Sequence, residues 1–207
     1  LLDVGCGWGS LAIHAAQRYG ASVVGVTLSE EQAQLARKRV AEAGLTDRVE
    51  IRVQDYREVD DGPFDAIASI GMAEHVGRAQ MPGYARRLHD LLRPGGRLLN
   101  HAIAWNAGTA AQHPDTFIAR YVFPDGELLG LGETVAVLEA GGALEVLDVE
   151  ALRVHYALTL RAWVRRLETH WDAAVAASTP GRARVWRLYM AACALAFEAG
   201  DMGVNQV

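Results

Sequence analysis

The apolar positions of the first hundred residues switch between two periods. Leu1-Leu-Asp-Val4 is a short apolar run that empties into Gly5-Cys-Gly-Trp-Gly9. Leu11, Ala12, Ala15, Ala16 and Tyr19 then recur at helical spacing up to Gly20, a natural helix stop. Residues 21–27 form a short buried-strand pattern. Ser29-Glu-Glu-Gln32 has the form of a capping box and opens a helix with Ala33, Ala36, Val40 and Ala43 inward, ended by Gly44. Residues 49–53 alternate as a strand does, Asp55-Tyr56 fall in a loop, and 64–70 is a further strand. The spacing of Tyr84, Leu88 and Leu91 predicts a helix over 81–92, stopped by Pro94-Gly95-Gly96, with the next strand at 97–103.

Strict alternation of strand and helix predicts an α/β fold: a parallel, doubly wound, Rossmann-like sheet with helices on both faces. Ligands in such folds sit at the carboxyl ends of the strands, near the switch point after the first one. Beyond Ala104 the pattern dissolves, and 104–132 reads as a lid or substrate-covering insertion. A helix at 133–140 and a strand at 143–149 follow. Two amphipathic helices come next, within a helical cover over 153–201. The first carries Tyr156, Leu160, Trp163, Leu167 and Trp171 on one stripe. The second, after Pro180-Gly181, carries Val185, Leu188, Ala192 and Leu195. Residues 203–207 form a last, edge-side strand, which brings the sheet to seven. The whole is one domain, and its opening inside a strand points to a segment preceding Leu1.

Composition narrows the class. A chain of 207 residues, 51% hydrophobic and 22% charged, can bury a real core, and no apolar run approaches the ~18 residues of a membrane span. Cys6 and Cys193 are too few and too far apart for a disulfide framework, so a reducing, cytoplasmic setting fits. The net charge of −5 argues against nucleic acid as a partner. Yet Arg153, Arg161, Arg165, Arg166, Arg182, Arg184 and Arg187 face only Glu168 and Asp172 within one stretch. That stretch suits an anionic partner, although a solvated helix surface explains any single arginine as well.

The glycine loop has two candidate ligands. A dinucleotide asks for G-x-G-x-x-G and an acid closing the second strand, but here the third glycine follows after one residue and the strand ends in Val26-Thr27. Asp3-x-Gly5-x-Gly7-x-Gly9 fits the S-adenosylmethionine loop of methyltransferases better, with the acid near the cationic methionine portion.

Seven runs sharpen this: LLDVGCGWGS (1–10), VVGVTLSEEQ (23–32), SIGMAEHVG (69–77), GGRLLNHAI (95–103), RYVFPDGEL (120–128), HYALTLRAW (155–163) and GVNQV (203–207). The chain resembles the cyclopropane-fatty-acyl-phospholipid synthases and mycolic acid cyclopropane synthases. The resemblance implies a class I methyltransferase fold. It also implies S-adenosylmethionine as methyl donor, S-adenosylhomocysteine as product and a cis-unsaturated acyl lipid as substrate. In that family a bound bicarbonate takes the proton from the carbocation left by methyl transfer, so the resemblance implies bicarbonate here and a cyclopropane as product. Proton loss from a neighbouring carbon would instead give a methylene branch, and Ala73, where many relatives carry an aromatic, keeps that outcome open. The residues implied for the anion are Glu74, His101, Tyr156 and the backbone amide at Ile103. The family's cysteine ligand belongs to a segment before residue 1.

For the cofactor the resemblance implies Gly5 and Gly7 at the methionine and ribose, and Thr27, Leu28 and Gln32 in place of the missing acid. It puts Asp55 and Tyr56 at the adenine and Ile70-Gly71 on the other wall, with Asp3 inside the loop. Phe117, Tyr121 and Phe123 would wall the acyl channel. Each has a plainer reading: a helix cap for Glu74, a satisfied core imidazole for His101, a turn former at Asp55, lid packing for the aromatics. Rival functions are an oxygen- or nitrogen-directed methyltransferase and a non-catalytic cofactor-binding protein. Assembly into homo-oligomers stays open.

Overall fold

In the computed structural model, which describes residues 1–106, 116–140 and 144–207, the alternating pattern becomes one seven-stranded sheet. The strands are β1 (Leu2–Val4), β2 (Val23–Thr27), β3 (Val49–Val53), β4 (Phe64–Ile70), β5 (Leu92–Trp105), β6 (Glu150–Ala151) and β7 (Met202–Gln206), in the order β3-β2-β1-β4-β5-β7-β6. The first five are parallel, while β7 runs antiparallel to both β5 and β6. Because both faces are covered, β1 is buried at every residue.

Helices α1 (Ser10–Tyr19) and α2 (Glu30–Glu42) cover one face. Their small inward residues Ala12, Ala16, Ala33 and Ala36 pack on Val23, Val49 and Ile51. On the other face α3 (Met81–Leu91) inserts Tyr84, Leu88 and Leu91 among Leu2, Val4 and Ile67. The remaining helices are α4 (Phe117–Tyr121), α5 (Leu131–Glu139), α6 (Arg153–Thr169), α7 (Trp171–Ala177) and α8 (Pro180–Ala199). A third core forms where α6 and α8 pack on β5 and β7, around Leu160, Phe197, Met202 and Val204.

The structure departs from the periodicity in several places. Tyr19 is exposed and meets His14 edge-on rather than entering the core. Ala43 is the half-buried cap of α2. Only half of the capping box forms: Ser29 accepts from the Gln32 amide, but the Gln32 side chain turns to Thr27. Pro94-Gly95-Gly96 does not end α3. The helix stops at Leu91, β5 starts at Leu92, and the Pro-Gly-Gly run lies within it, where the pairing register with β4 shifts. Residues 144–149 are irregular, position 143 lies outside the described residues, and the short pairing falls on Glu150–Ala151. That two-residue strand is the edge, and β7 lies inside the sheet between β5 and β6. Trp171 starts a separate helix. Of the 104–132 stretch, Ala104 and Trp105 complete β5, 116–132 holds α4 and the start of α5, and 107–115 lies outside the described residues.

The largest correction concerns α8. Val185, Leu188, Ala192 and Leu195 do not form its inward face: Leu188 and Leu195 are 56% and 58% exposed. The buried stripe is Ala183, Tyr189, Met190, Cys193, Ala194 and Phe197. This helix is apolar around most of its circumference, so period alone offered two stripes. The stripe carrying the aromatics and the small alanines packs against α6, because it buries more area and lets the helices approach closely.

Candidate active site

The loops that leave β1, β2, β3 and β4 meet at the carboxyl edge of the sheet and enclose a cleft of about 650 Å³. Gly5 adopts φ +72°, and a Cβ there would meet Met72 Cγ at 3.2 Å, so the β1 loop lies directly against the β4 loop. Gly9 serves packing instead: a Cβ would come within 3.0 Å of Ala36 Cβ, where α1 rests on α2. Gly5, Gly7, Thr27, Leu28 and Gln32 line the cleft, and so do Asp55, Tyr56 and Gly71. Thr27 Oγ1 donates to Gln32 Oε1 at 2.8 Å and accepts from the Ser29 amide at 3.3 Å, which ties the end of β2 to the head of α2. Asp55 has a double role. It borders the cleft, and it caps its own turn by accepting from the Arg57 amide at 2.9 Å. The Arg57 guanidinium holds its carboxyl below the usual range. Tyr56 packs edge-on against buried Tyr84, whose hydroxyl donates to Asn100 Oδ1 at 2.8 Å and lies 2.7 Å from Ser69 Oγ. Tyr84, Met72, His75 and Gln80 also border this cleft. Met72 and His75 fall inside the SIGMAEHVG run, whereas Gln80 and Tyr84 lie outside the quoted motifs and owe their place to how α3 docks.

Two cofactor assignments change. Ile70 points into a second cavity, described below. Asp3 lies behind the glycine loop, 3% exposed, because β1 is covered on both faces. Burial pushes its carboxyl up to about 7, opposed by the Ala12 backbone amide, and its Oδ2 has no partner among the described residues. The sign of the pH dependence follows: the folded chain holds the Asp3 proton more tightly than the unfolded chain, so this group costs stability increasingly as pH rises from about 4 to about 7. Asp3→Asn keeps an acceptor for the amide and removes the buried charge. Urea unfolding is expected to show a gain on the order of 3–4 kcal/mol at pH 8, shrinking toward zero near pH 4. A flat difference across pH would refute the burial penalty.

The second cavity, of about 340 Å³, lies under the helical cover and shares Gly71 and His75 with the first. It brings together Glu74, from the 3-10 turn Ala73–His75 after β4, His101 and Ile103 from β5, and Tyr156 from α6. Glu74 Oε1 accepts from the Ile103 amide at 2.8 Å, while Oε2 is buried without a partner among the described residues. The Ile103 amide, assigned to an anion by the motif, therefore holds the Glu74 carboxyl in this structure. Burial raises the Glu74 pKa against the pull of that amide. Burial also lowers the His101 pKa. Tyr156 is pushed up to about 12, first by burial and then by its nearness to the ionisable Glu74 and Cys193. All three groups are thus biased toward their neutral forms, as an apolar enclosure demands.

The walls are aromatic and aliphatic. Phe123 meets His75 and Tyr189 edge-on, both at 5.7 Å, and Tyr156 packs on Phe197 at 4.9 Å and on Trp163 at 6.1 Å. Of the three aromatics assigned to the channel, only Phe123 lines it. In α4, Ile118 faces the cavity, whereas Phe117 and Tyr121, four residues apart, stack on each other on another side, with Tyr121 exposed. Tyr189 and Cys193 from α8 complete the wall, and burial raises the Cys193 thiol to about 11. Both sit on the α8 stripe that period alone did not select. Among the described residues no cluster suits a metal ion, and no helix is long and apolar enough to cross a membrane.

The family model described as mycolic acid cyclopropane synthetase matches residues 1–207. A probable fatty acid methyltransferase of Pseudomonas putida is 47% identical over all of this chain and 53% of its own length. The tuberculostearic acid methyltransferase UfaA1 of Mycobacterium tuberculosis is 41% identical over all of this chain and 48% of its own. The crystal structure of mycolic acid cyclopropane synthase CmaA1 complexed with SAH and CTAB superposes with a TM-score of 0.88 at 29% identity, covering 99% of this chain and 75% of that one. The chain spans about half the length of these two curated relatives.

Proposed function

The chain belongs to the mycolic acid cyclopropane synthetase family, and we propose that it adds a carbon from S-adenosylmethionine to the cis double bond of an unsaturated fatty acyl chain. The observation that carries this reading is the pair of adjoining cavities. One is a glycine-floored cleft at the switch point of the sheet, and the other is an apolar chamber holding Glu74, His101 and Tyr156, joined to it at Gly71 and His75.

S-adenosylmethionine, when bound, supplies an electrophilic methyl group, and S-adenosylhomocysteine remains. Gly5, Gly7, Thr27, Leu28 and Gln32 would hold its methionine and ribose, and Tyr56 and Asp55 its adenine. An alkene needs no side-chain nucleophile. The protein must exclude water, tolerate positive charge on carbon and remove one proton. Ring faces of Phe123, Trp163 and Tyr189 meet the second demand, since they attract cations. Bicarbonate fits the third, because its O–H can satisfy the orphaned Glu74 Oε2 and its oxygens can accept from Tyr156 and His101. It would supply a base in a chamber whose own groups are neutral.

Which proton leaves decides between a cyclopropane, our first reading, and a methylene branch. Ala73 is buried and borders a small void behind Glu74 together with Met81 and Ala102, so its small size makes room there rather than in the acyl chamber. Incubation with oleoyl phospholipid, cofactor and bicarbonate, followed by proton NMR of the lipid, is expected to show upfield cyclopropane protons. Vinylic methylene protons would select the second product. An unchanged lipid with cofactor binding intact in calorimetry would favour the non-catalytic reading instead.

Arg165, Arg166, Arg182 and Arg184 of the basic stretch are exposed. The others work within the cover. Arg161 grips Glu198 at 2.9 and 2.7 Å, Arg153 donates to the Phe197 carbonyl at 2.6 Å, and Arg187 lies over Trp171. Arg165, Arg166, Arg182 and Arg184 are the ones to meet a phosphate headgroup at the cytoplasmic membrane face or an acidic carrier.

A further inference from the structure

Gln206 sits one residue from the end of the chain and belongs to no cavity wall that binds the cofactor, yet it reaches the acyl chamber through His101. The register of β5 and β7 makes this contact. Asn100 and Val207 exchange both backbone hydrogen bonds at 2.9 Å, so the next pair, His101 opposite Gln206, is a non-hydrogen-bonded pair. Side chains come closest at such pairs. Gln206 Nε2 lies 3.2 Å from His101 Nδ1. An amide nitrogen can only donate, so with the Gln206 amide in this orientation Nδ1 is the accepting, unprotonated nitrogen of the ring. Burial disfavours the imidazolium, which leaves a single ring proton to place.

We propose that Gln206 is a positioning residue that fixes the tautomer of His101, holding the proton on Nε2 so that the imidazole presents a donor to the chamber. A carboxylate here would take an N–H from Nδ1 and favour the charged ring. An aliphatic residue would leave the two tautomers in competition. Glutamine does neither: it keeps the ring neutral and the donor on the far nitrogen. This assignment rests on the reading of His101 as a donor toward the anion in the chamber, and its first readout is independent of that reading.

The test is ¹⁵N NMR of the histidine-labelled protein, with the His101 resonances identified by their loss in His101→Gln. The wild type is expected to show a neutral ring protonated at Nε2. Gln206→Leu is expected to populate both tautomers, and Gln206→Glu to move the proton to Nδ1 or charge the ring. Turnover on oleoyl phospholipid should fall on the order of 10- to 100-fold in both variants, with KM for S-adenosylmethionine unchanged. A wild-type ring protonated at Nδ1 would overturn the proposal. So would variants that lose turnover and thermal stability together while the His101 tautomer stays as in the wild type. If the tautomer moves and turnover does not, the effect of Gln206 on the ring stands and the role given to His101 under the proposed function fails.

Discussion

Glu74→Gln is expected to lower turnover by roughly 10²- to 10⁴-fold, the range associated with loss of a positioned acid–base group, in a protein that folds at least as well as the parent. The carboxyl accepts a hydrogen bond from the Ile103 amide, and glutamine keeps an acceptor for it. What glutamine removes is the oxygen Oε2, buried without a partner among the described residues and, in the proposed function, the acceptor for the bicarbonate O–H. The stability side has a definite sign. The folded-state pKa of Glu74 is raised by burial, so its ionisation costs the folded chain more than the unfolded chain as pH climbs above the ordinary carboxylate range. The variant should therefore melt no lower than the parent at pH 8, with the two converging in acid. Measured turnover and melting at both pH values separate the readings. Near-normal turnover would sink the assignment of Glu74 and favour an oxygen- or nitrogen-directed methyltransferase, for which Tyr156→Phe should be equally harmless.

The second large effect belongs to Phe197. Its ring is 0% exposed, fills the junction of α6, α8 and β7, and backs Tyr156 edge-on at 4.9 Å. Phe197→Ala is expected to cost about 3–5 kcal/mol and to lower the melting temperature by roughly 10 °C. In protein still folded at low temperature, turnover should fall further than cofactor binding, because Tyr156 loses the surface that holds it against the chamber. Phe197→Leu keeps most of the volume and should cost under about 1.5 kcal/mol. Leu195→Ala, two residues away on the exposed stripe, should stay within about 0.5 kcal/mol. If Leu195→Ala proved as costly as Phe197→Ala, the observed facing of α8 would be wrong and the stripe read from periodicity right.

That contrast shows where sequence reading runs out. Strand β1, the glycine loop, Ser29 as a helix cap and the Tyr84-Leu88-Leu91 stripe were all legible, because each depends on backbone preference or on a period within a few residues. The motif positions brought Glu74, His101 and Tyr156 forward, and the fold gathers them in one chamber. Where local signals were degenerate, the reading failed. In α8 two apolar stripes had the same spacing, and the aromatics Phe117 and Tyr121 of α4 could not be sorted from Phe123 just beyond it without knowing which side of a single helical turn faced inward.

Asp3 marks the same boundary at the feature the chain is built around. Its sequence neighbourhood tied it to the glycine loop, but only the covering of β1 on both faces decided that its side chain is buried, which pushes its carboxyl up to about 7. The chain alone determined the order of elements, the cofactor loop and the identity of the polar groups, since those follow from dihedral preference, hydrophobic period and motif spacing. Tertiary structure decided what each group touches. Glu74 finds the Ile103 amide across 29 residues and Gln206 finds His101 across 105. Contacts at that separation are set by strand order and register, which arise only when the whole sheet has formed.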